Sequence, residues 1–218
     1  MIFRQLFDNA SSTYTYLLAD ERSRDAIVID SVFEQSARDL ALIRELDLKL
    51  LYAIDTHCHA DHVTGAWLMK QKTGCRIGAA KVIGAANVDV ELEHHDVISF
   101  GQHSLEVRAT PGHTNGCLTY VTEDQTHAFT GDALLIRGCG RADFQQGNAG
   151  MLFDSISEQI LSLPESCLIY PGHDYRGRTV SSVAEEKAFN ARIGGGANKG
   201  DFVGYMDAMR LPHPKHID

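Results

Sequence analysis

The chain has 218 residues, 44% hydrophobic and 22% charged, with a formal net charge of −9, so it is long enough to bury one substantial core. Its acidity disfavours nucleic acid and anionic membrane surfaces as partners, because both attract basic protein faces. An anionic ligand would need a local basic pocket. No stretch of about 18 apolar residues occurs to span a membrane, and the first residues lack the basic start, apolar core and small-residue site of a signal peptide. Cys58, Cys75, Cys117, Cys139 and Cys167 are odd in number and scattered, without a CxxC pair. That usage suits a reducing cytoplasm better than a disulfide framework. A single domain over residues 1–218 is expected, and a homodimer is compatible with a sequence that does not fix the oligomeric state.

In chain order, residues 13–19 (TYTYLLA) and 26–30 (AIVID) are rich in aromatic and branched side chains and flank a polar DERSRD segment, so two strands joined as a hairpin open the fold. Residues 36–46 place Ala37, Leu40, Ile43 and Leu46 on one helical face, and 50–54 follow as a buried strand. A helix over 64–72 closes at Gly74. Strands are expected at 96–100, 104–109, 118–122, 128–130 and 167–170, and helices at 151–163 and 181–192. Many strands with interspersed helices indicate a layered α/β body. GGGAN, 194–198, is the most flexible-looking stretch.

The strand at 50–54 runs into THCHADH, which sets three histidines and two aspartates within eight positions, Asp55 to His62. Imidazole and carboxylate together suit zinc, iron or manganese. In extended backbone His57 and His59 project to the same side. His113 in ATPGHTNG, Asp132 in FTGDA and His173 in LIYPGHDY each follow an apolar segment and sit beside glycine, where loops can aim side chains into one cleft. Singly, His113 or His173 reads as a hydrogen-bonded structural histidine; four such loops together read as a metal site.

With these residues in place, the chain resembles the metallo-β-lactamase superfamily, whose HxHxDH motif stands here as His57-Cys58-His59-Ala60-Asp61-His62, with His113, Asp132 and His173 as the later ligands. The resemblance implies an αββα sandwich of two mixed β-sheets flanked by helices, with the metal cleft along one edge. The scaffold does not name the reaction, since hydrolases, oxidoreductases and nucleases share it. A two-zinc site would use His57, His59, His113 and Asp132 for one ion and Asp61, His62, His173 and bridging Asp132 for the other. A mononuclear iron site would take His57, His113 and Asp132, two histidines and a carboxylate on one face, with His59, Asp61, His62 and His173 orienting them.

THCHADHVTG, IRGCGRADFQQG and CLIYPGHDY resemble the persulfide dioxygenase branch, close to glyoxalase II, and DFQQG is the element most associated with the dioxygenases. Residues 174–218 are also shorter than the helical C-terminal region usual in glyoxalase II. The branch implies an enzyme with one Fe(II) per chain that uses O2 to oxidise glutathione persulfide to glutathione and sulfite. The principal alternative is a hydroxyacylglutathione hydrolase with two zinc ions, and a non-catalytic metal-binding domain is the alternative of another class.

Arg137 and Arg141 follow Asp132, and Arg176 and Arg178 follow His173, where guanidinium groups could meet a substrate carboxylate. Arg141 is the first candidate for substrate binding and Tyr175 and Arg176 the next. Pairing of Arg141 with Asp143 is the competing reading, and Arg178 reads as the partner of Asp174. Cys58 is expected to pack in the core and Cys139 to lie nearer solvent. His94, His95, His103, His127, His213 and His216 lack companion motifs and read as surface residues.

Overall fold

The computed structural model describes residues 1–210. In the segment TYTYLLA, Tyr14, Tyr16 and Leu18 face one side while Leu17 and Ala19 face the other, and all are buried. A strand buried on both faces must be covered on both, and that requirement organises the molecule. One sheet holds β1 (Ile2–Asp8), β2 (Thr13–Ala19), β3 (Asp25–Ile29), β4 (Lys49–Ile54), β5 (Arg76–Ala80) and β6 (Val90–Leu92), side by side in chain order. The other holds β7 (Val97–Phe100), β8 (His103–Ala109), β9 (Leu118–Thr122), β10 (His127–Gly131), β11 (Leu168–Pro171) and β12 (Ser181–Ser182), also in chain order.

Both sheets are mixed. β1 to β3 pair antiparallel and β3 to β6 parallel, while β7 to β10 pair antiparallel, β10 with β11 parallel and β11 with β12 antiparallel. Parallel neighbours need a crossover. Helix α1 (Ser36–Glu45) carries the chain from β3 to β4 and α2 (Ala66–Thr73) from β4 to β5. Between the sheets lie Tyr16, Leu18, Ile27, Ile29 and Ile54 from the first, meeting Phe100, Leu105, Val107, Tyr120 and Phe129 from the second. Each such side chain contributes about 1.5–3 kcal/mol on leaving water.

The outer face of the first sheet packs Leu17, Val28 and Ala53 against Ile43 of α1 and Met69 of α2. The outer face of the second packs Val121, Ala128 and Ile169 against α3 (Ala149–Ser155), α4 (Val183–Phe189) and α5 (Lys199–Ala208) through Leu152, Val183 and Phe202. The expected αββα sandwich is the architecture found. No helix among the described residues is long and apolar enough to cross a membrane.

Several boundaries differ from the sequence reading. Three strands open the fold, because β1 precedes the hairpin; its IFRQLFD has no clean alternation and is only partly buried. β5 and β6 were not expected, being short and, in RIGAA, built of small residues. Gly78 suits that strand because a Cβ there would lie 2.8 Å from Ile54 Cγ2. The helix expected at 151–163 begins at Ala149, capped by the Asn148 side chain, and passes into a π-helical turn, Ile156–Ile160. The helix expected at 181–192 is shortened, since Ser181–Ser182 pair with β11 and Ser182 caps α4. GGGAN is a turn with Gly195 and Gly196 at positive φ, and Asn198 caps the unexpected α5, whose KGDFVGYMDA is broken by two glycines.

Candidate metal centre

All the loops that carry the expected ligands leave the carboxyl ends of strands: His57 after β4, His113 after β8, Asp132 after β10 and His173 after β11. The two sheets are stitched together at this edge by Tyr14 N–H donating to Gly172 O at 2.8 Å and by an isolated bridge between Thr13 and His173. Gly131 lets the loops approach closely: its φ is +51°, and a Cβ there would collide with the Thr56 side chain. The pleat of β4 and β10 therefore converges on one small volume.

His57, His113 and Asp132 bring one ligand atom each within 4.8 Å of one another. Thr56 Oγ1 donates its proton to Asp30 Oδ2 at 2.8 Å, so at 2.9 Å it accepts from His57 Nδ1. His113 Nδ1 donates to the Arg141 carbonyl at 2.6 Å. Each ring thus has Nε2 as its remaining nitrogen, the tautomer a metal ligand needs. Burial and the neighbouring His59 push the His57 pKa well below its ordinary value, which keeps that ring neutral. His113 Nε2 lies 3.7 Å from Asp132 Oδ2.

The other Asp132 oxygen is engaged. His173 Nδ1 donates to Asp132 Oδ1 at 2.7 Å and its Nε2 to Asp61 Oδ2 at 2.9 Å, with Thr13 Oγ1 at 3.0 Å. Although burial opposes its charge, Asp132 and then Asp61 hold His173 well above the ordinary histidine range. Asp132 in turn is held low despite its burial, first by His173 and then by His57 and His113. Both His173 ring nitrogens are thus turned to carboxylate oxygens.

His59 Nε2 lies 3.1 Å from Asp30 Oδ1, and His62 Nδ1 lies 3.1 Å from Asp61 Oδ2. Their other nitrogens, His59 Nδ1 and His62 Nε2, are buried without a partner. Unpartnered buried nitrogens are costly and mark a place for a ligand. His59, Asp61, His62 and His173 form a second group that could hold an ion. The donor set, imidazole with carboxylate, fits a metal, and all seven expected residues are brought together.

The flanking residues divide. Arg141 is held by Asp143, with Nε at 2.6 Å from Oδ1 and Nη2 at 2.8 Å from Oδ2, and its guanidinium lies 4.2 Å over the Phe144 ring. Tyr175 is 70% exposed and stacks on His173 with centroids 6.0 Å apart. Arg176 is exposed, its backbone N–H bound to Asp174, and Arg178 pairs with Asp174 at 2.9 Å as the sequence suggested.

The two cysteine expectations are reversed. Cys58 is exposed, whereas Cys139 is buried with Sγ 3.4 Å from Arg192 Nη1, because alternation fails in loops. His94 and His95 are exposed, but His103 and His127 are half-buried, His127 stacking on Tyr170; His213 and His216 lie outside the described residues. Asp30, Thr56 and Thr13 were missed as parts of the site. The available signal for Asp30 was an acidic residue closing an apolar strand.

The family model of the metallo-beta-lactamase superfamily matches residues 8–173. Over 219 aligned residues the chain is 52% identical to the mitochondrial persulfide dioxygenase ETHE1 of Bos taurus and 51% identical to that of Homo sapiens, covering all of this chain and 85% of each relative. The crystal structure of ETHE1 from Myxococcus xanthus is 48% identical and superposes with a TM-score of 0.96 over 100% of this chain and 95% of that one. The chain therefore belongs to the metallo-beta-lactamase superfamily, in its persulfide dioxygenase branch.

Proposed function

We propose that this chain is a persulfide dioxygenase, with glutathione persulfide as substrate and one Fe(II) held by His57, His113 and Asp132. The observation that carries the activity is the likeness to persulfide dioxygenases along the whole chain. The finer assignment of the ion is supported by two rings that each keep Nε2 open and one carboxylate oxygen outside the pairing with His173, gathered together in the ligand pattern of non-haem iron oxygenases. Iron(II), when bound there, would supply a redox-active centre with open positions, while the four electrons that reduce O2 come from the terminal sulfur. The terminal sulfur is oxidised to sulfite, with two oxygens from O2 and one from water, while the inner sulfur leaves as the glutathione thiol.

The chain's own residues hold this arrangement. Thr56 and the Arg141 carbonyl fix the ligand tautomers, and His173 occupies Asp132 Oδ1 so that Oδ2 remains directed at the histidines. His59, Asp61, His62 and His173 serve as the supporting shell. Tyr175, exposed against His173, is placed to meet an incoming thiol carrier, and Arg176 beside it supplies charge for a carboxylate. Arg141, already clasped by Asp143, acts on its loop. The reading extends to one domain, a reducing compartment suited to five free thiols, and a homodimer, which size-exclusion chromatography checks.

A second count is favoured by one observation: the unpartnered nitrogens of His59 and His62 would gain a partner from a second ion, as in the two-zinc alternative. Iron-loaded protein prepared without oxygen should consume O2 and release sulfite when given glutathione persulfide, with one iron per chain. No oxygen uptake, together with rapid cleavage of an acylglutathione by the zinc form, would transfer the assignment to the hydrolase.

A further inference from the structure

The segment DFQQG has no part in ligation, yet it is where the backbone departs furthest from easy geometry. Gln145 and Gln146 have φ of +48° and +59°, the only consecutive side-chain-bearing residues at positive φ among those described. Residues with a Cβ adopt that region at a cost and persist there only when their surroundings demand it. The surroundings are the three ligand loops. Gln145 Nε2 donates to the carbonyl of Cys58, between His57 and His59, at 3.1 Å. Its own carbonyl accepts from Asn115 N–H at 3.4 Å, and Gln146 Oε1 accepts from Asn115 Nδ2 at 2.7 Å, two residues beyond His113.

The same loop reaches the third ligand. Gly140 N–H donates to the Asp132 carbonyl at 2.7 Å, and the Arg141 carbonyl fixes His113 Nδ1. At the far end Asn148 N–H donates to Gly112 O at 2.8 Å, and Gly147 packs so that a Cβ would meet the His113 carbonyl at 2.7 Å. Residues 140–148 therefore touch the loops of His57, His113 and Asp132 at once. Gln145 is the member that reaches the first histidine loop, and in the left-handed pair its amide and that of Gln146 go to two different loops.

We infer that residues 140–148 are a clasp that sets the spacing of the three ligand loops, with Gln145 as a positioning residue for metal binding. The inference rests on the ligand assignment proposed above. Its benefit is geometric: ligands held at their final separation need little ordering when the ion arrives.

The probe is Co(II) alone, added to the metal-free full-length protein, with affinity and the visible absorption of the bound ion recorded beside the melting temperature. Gln145→Gly removes the amide and relieves the backbone, so the metal-free melting temperature should stay level or rise while affinity falls about tenfold, the usual effect of outer-shell loss. The cobalt bands should shift as well. Gln145→Glu keeps the shape and loses the donor, and it should lose affinity to a similar extent. Unchanged affinity and bands in both variants would overturn the inference, as would a melting temperature that falls with an unaltered cobalt spectrum. If His113→Ala binds Co(II) as tightly as the unmodified chain, the ligand assignment itself fails, a result distinct from either.

Discussion

Two groups of residues meet at the metal edge, and they are built on different terms. In the group of His57, His113 and Asp132 each histidine has its Nδ1 bound to a fixed acceptor, leaving three ligand atoms facing one another. In the group of His59, Asp61, His62 and His173 one carboxylate oxygen is crowded, since Asp61 Oδ2 lies within hydrogen-bonding distance of His173, His62 and Thr13. His173 is itself spent on two carboxylates. Histidine count therefore says less about metal count than the fate of each ring nitrogen does. In the first group every Nδ1 is committed, whereas in the second Asp61 and His173 are paired with each other and His59 Nδ1 and His62 Nε2 stay without a partner.

The sharpest way to break this contrast is by deletion. His113→Ala or Asp132→Ala should remove bound iron and with it oxygen uptake, while His173→Ala should keep iron with affinity weakened about 10- to 100-fold, the range for an orienting partner. Iron content per chain, measured after gel filtration, decides it; loss as complete in His173→Ala would end the single-ion assignment. A smaller effect is expected from Thr56→Val, which preserves shape but withdraws the acceptor from His57 Nδ1. Iron affinity should fall about tenfold with the fold intact, and an unchanged dissociation constant would mean that the hydroxyl does not set the tautomer.

The smallest effect lies away from the centre and serves as its control. Asp20 in the turn between β2 and β3 accepts from the backbone N–H of Gln102, Ser23 and Arg22, which lower its pKa from 3.8 to about 2. A depressed carboxylate stabilises the fold above its unfolded pKa and loses that stabilisation as pH falls through the folded value. Metal-free protein should lose stability between about pH 4 and pH 2, and Asp20→Asn should flatten part of that slope. An identical acid profile in the variant would remove Asp20 from the account.

Much of the fold was legible because both sheets are covered on both faces, so their central strands are long apolar runs. TYTYLLA, AIVID and LTYVT announce themselves that way. β1 and β6 did not, because edge strands need less apolar surface and their pairing is decided by a neighbour far along the chain. α5 was hidden by its glycines; its apolar residues, Phe202 and Met206, become a face only when packed on α3 and the second sheet.

The site divides in the same way. That His57, His59, Asp61, His62, His113, Asp132 and His173 would form one centre was determined by residue type and by their place just past strand ends. The family followed from the motif and its companions. Which nitrogen of each ring is committed, that Asp132 gives one oxygen to His173, that Arg141 turns to Asp143, and that Cys58 is exposed while Cys139 is buried were decided only by tertiary structure. Those outcomes depend on partners such as Asp30, Thr13 and Gln145, brought from distant segments. A hydrogen bond is resolved at a few tenths of an ångström, a precision that spacing along a chain does not carry.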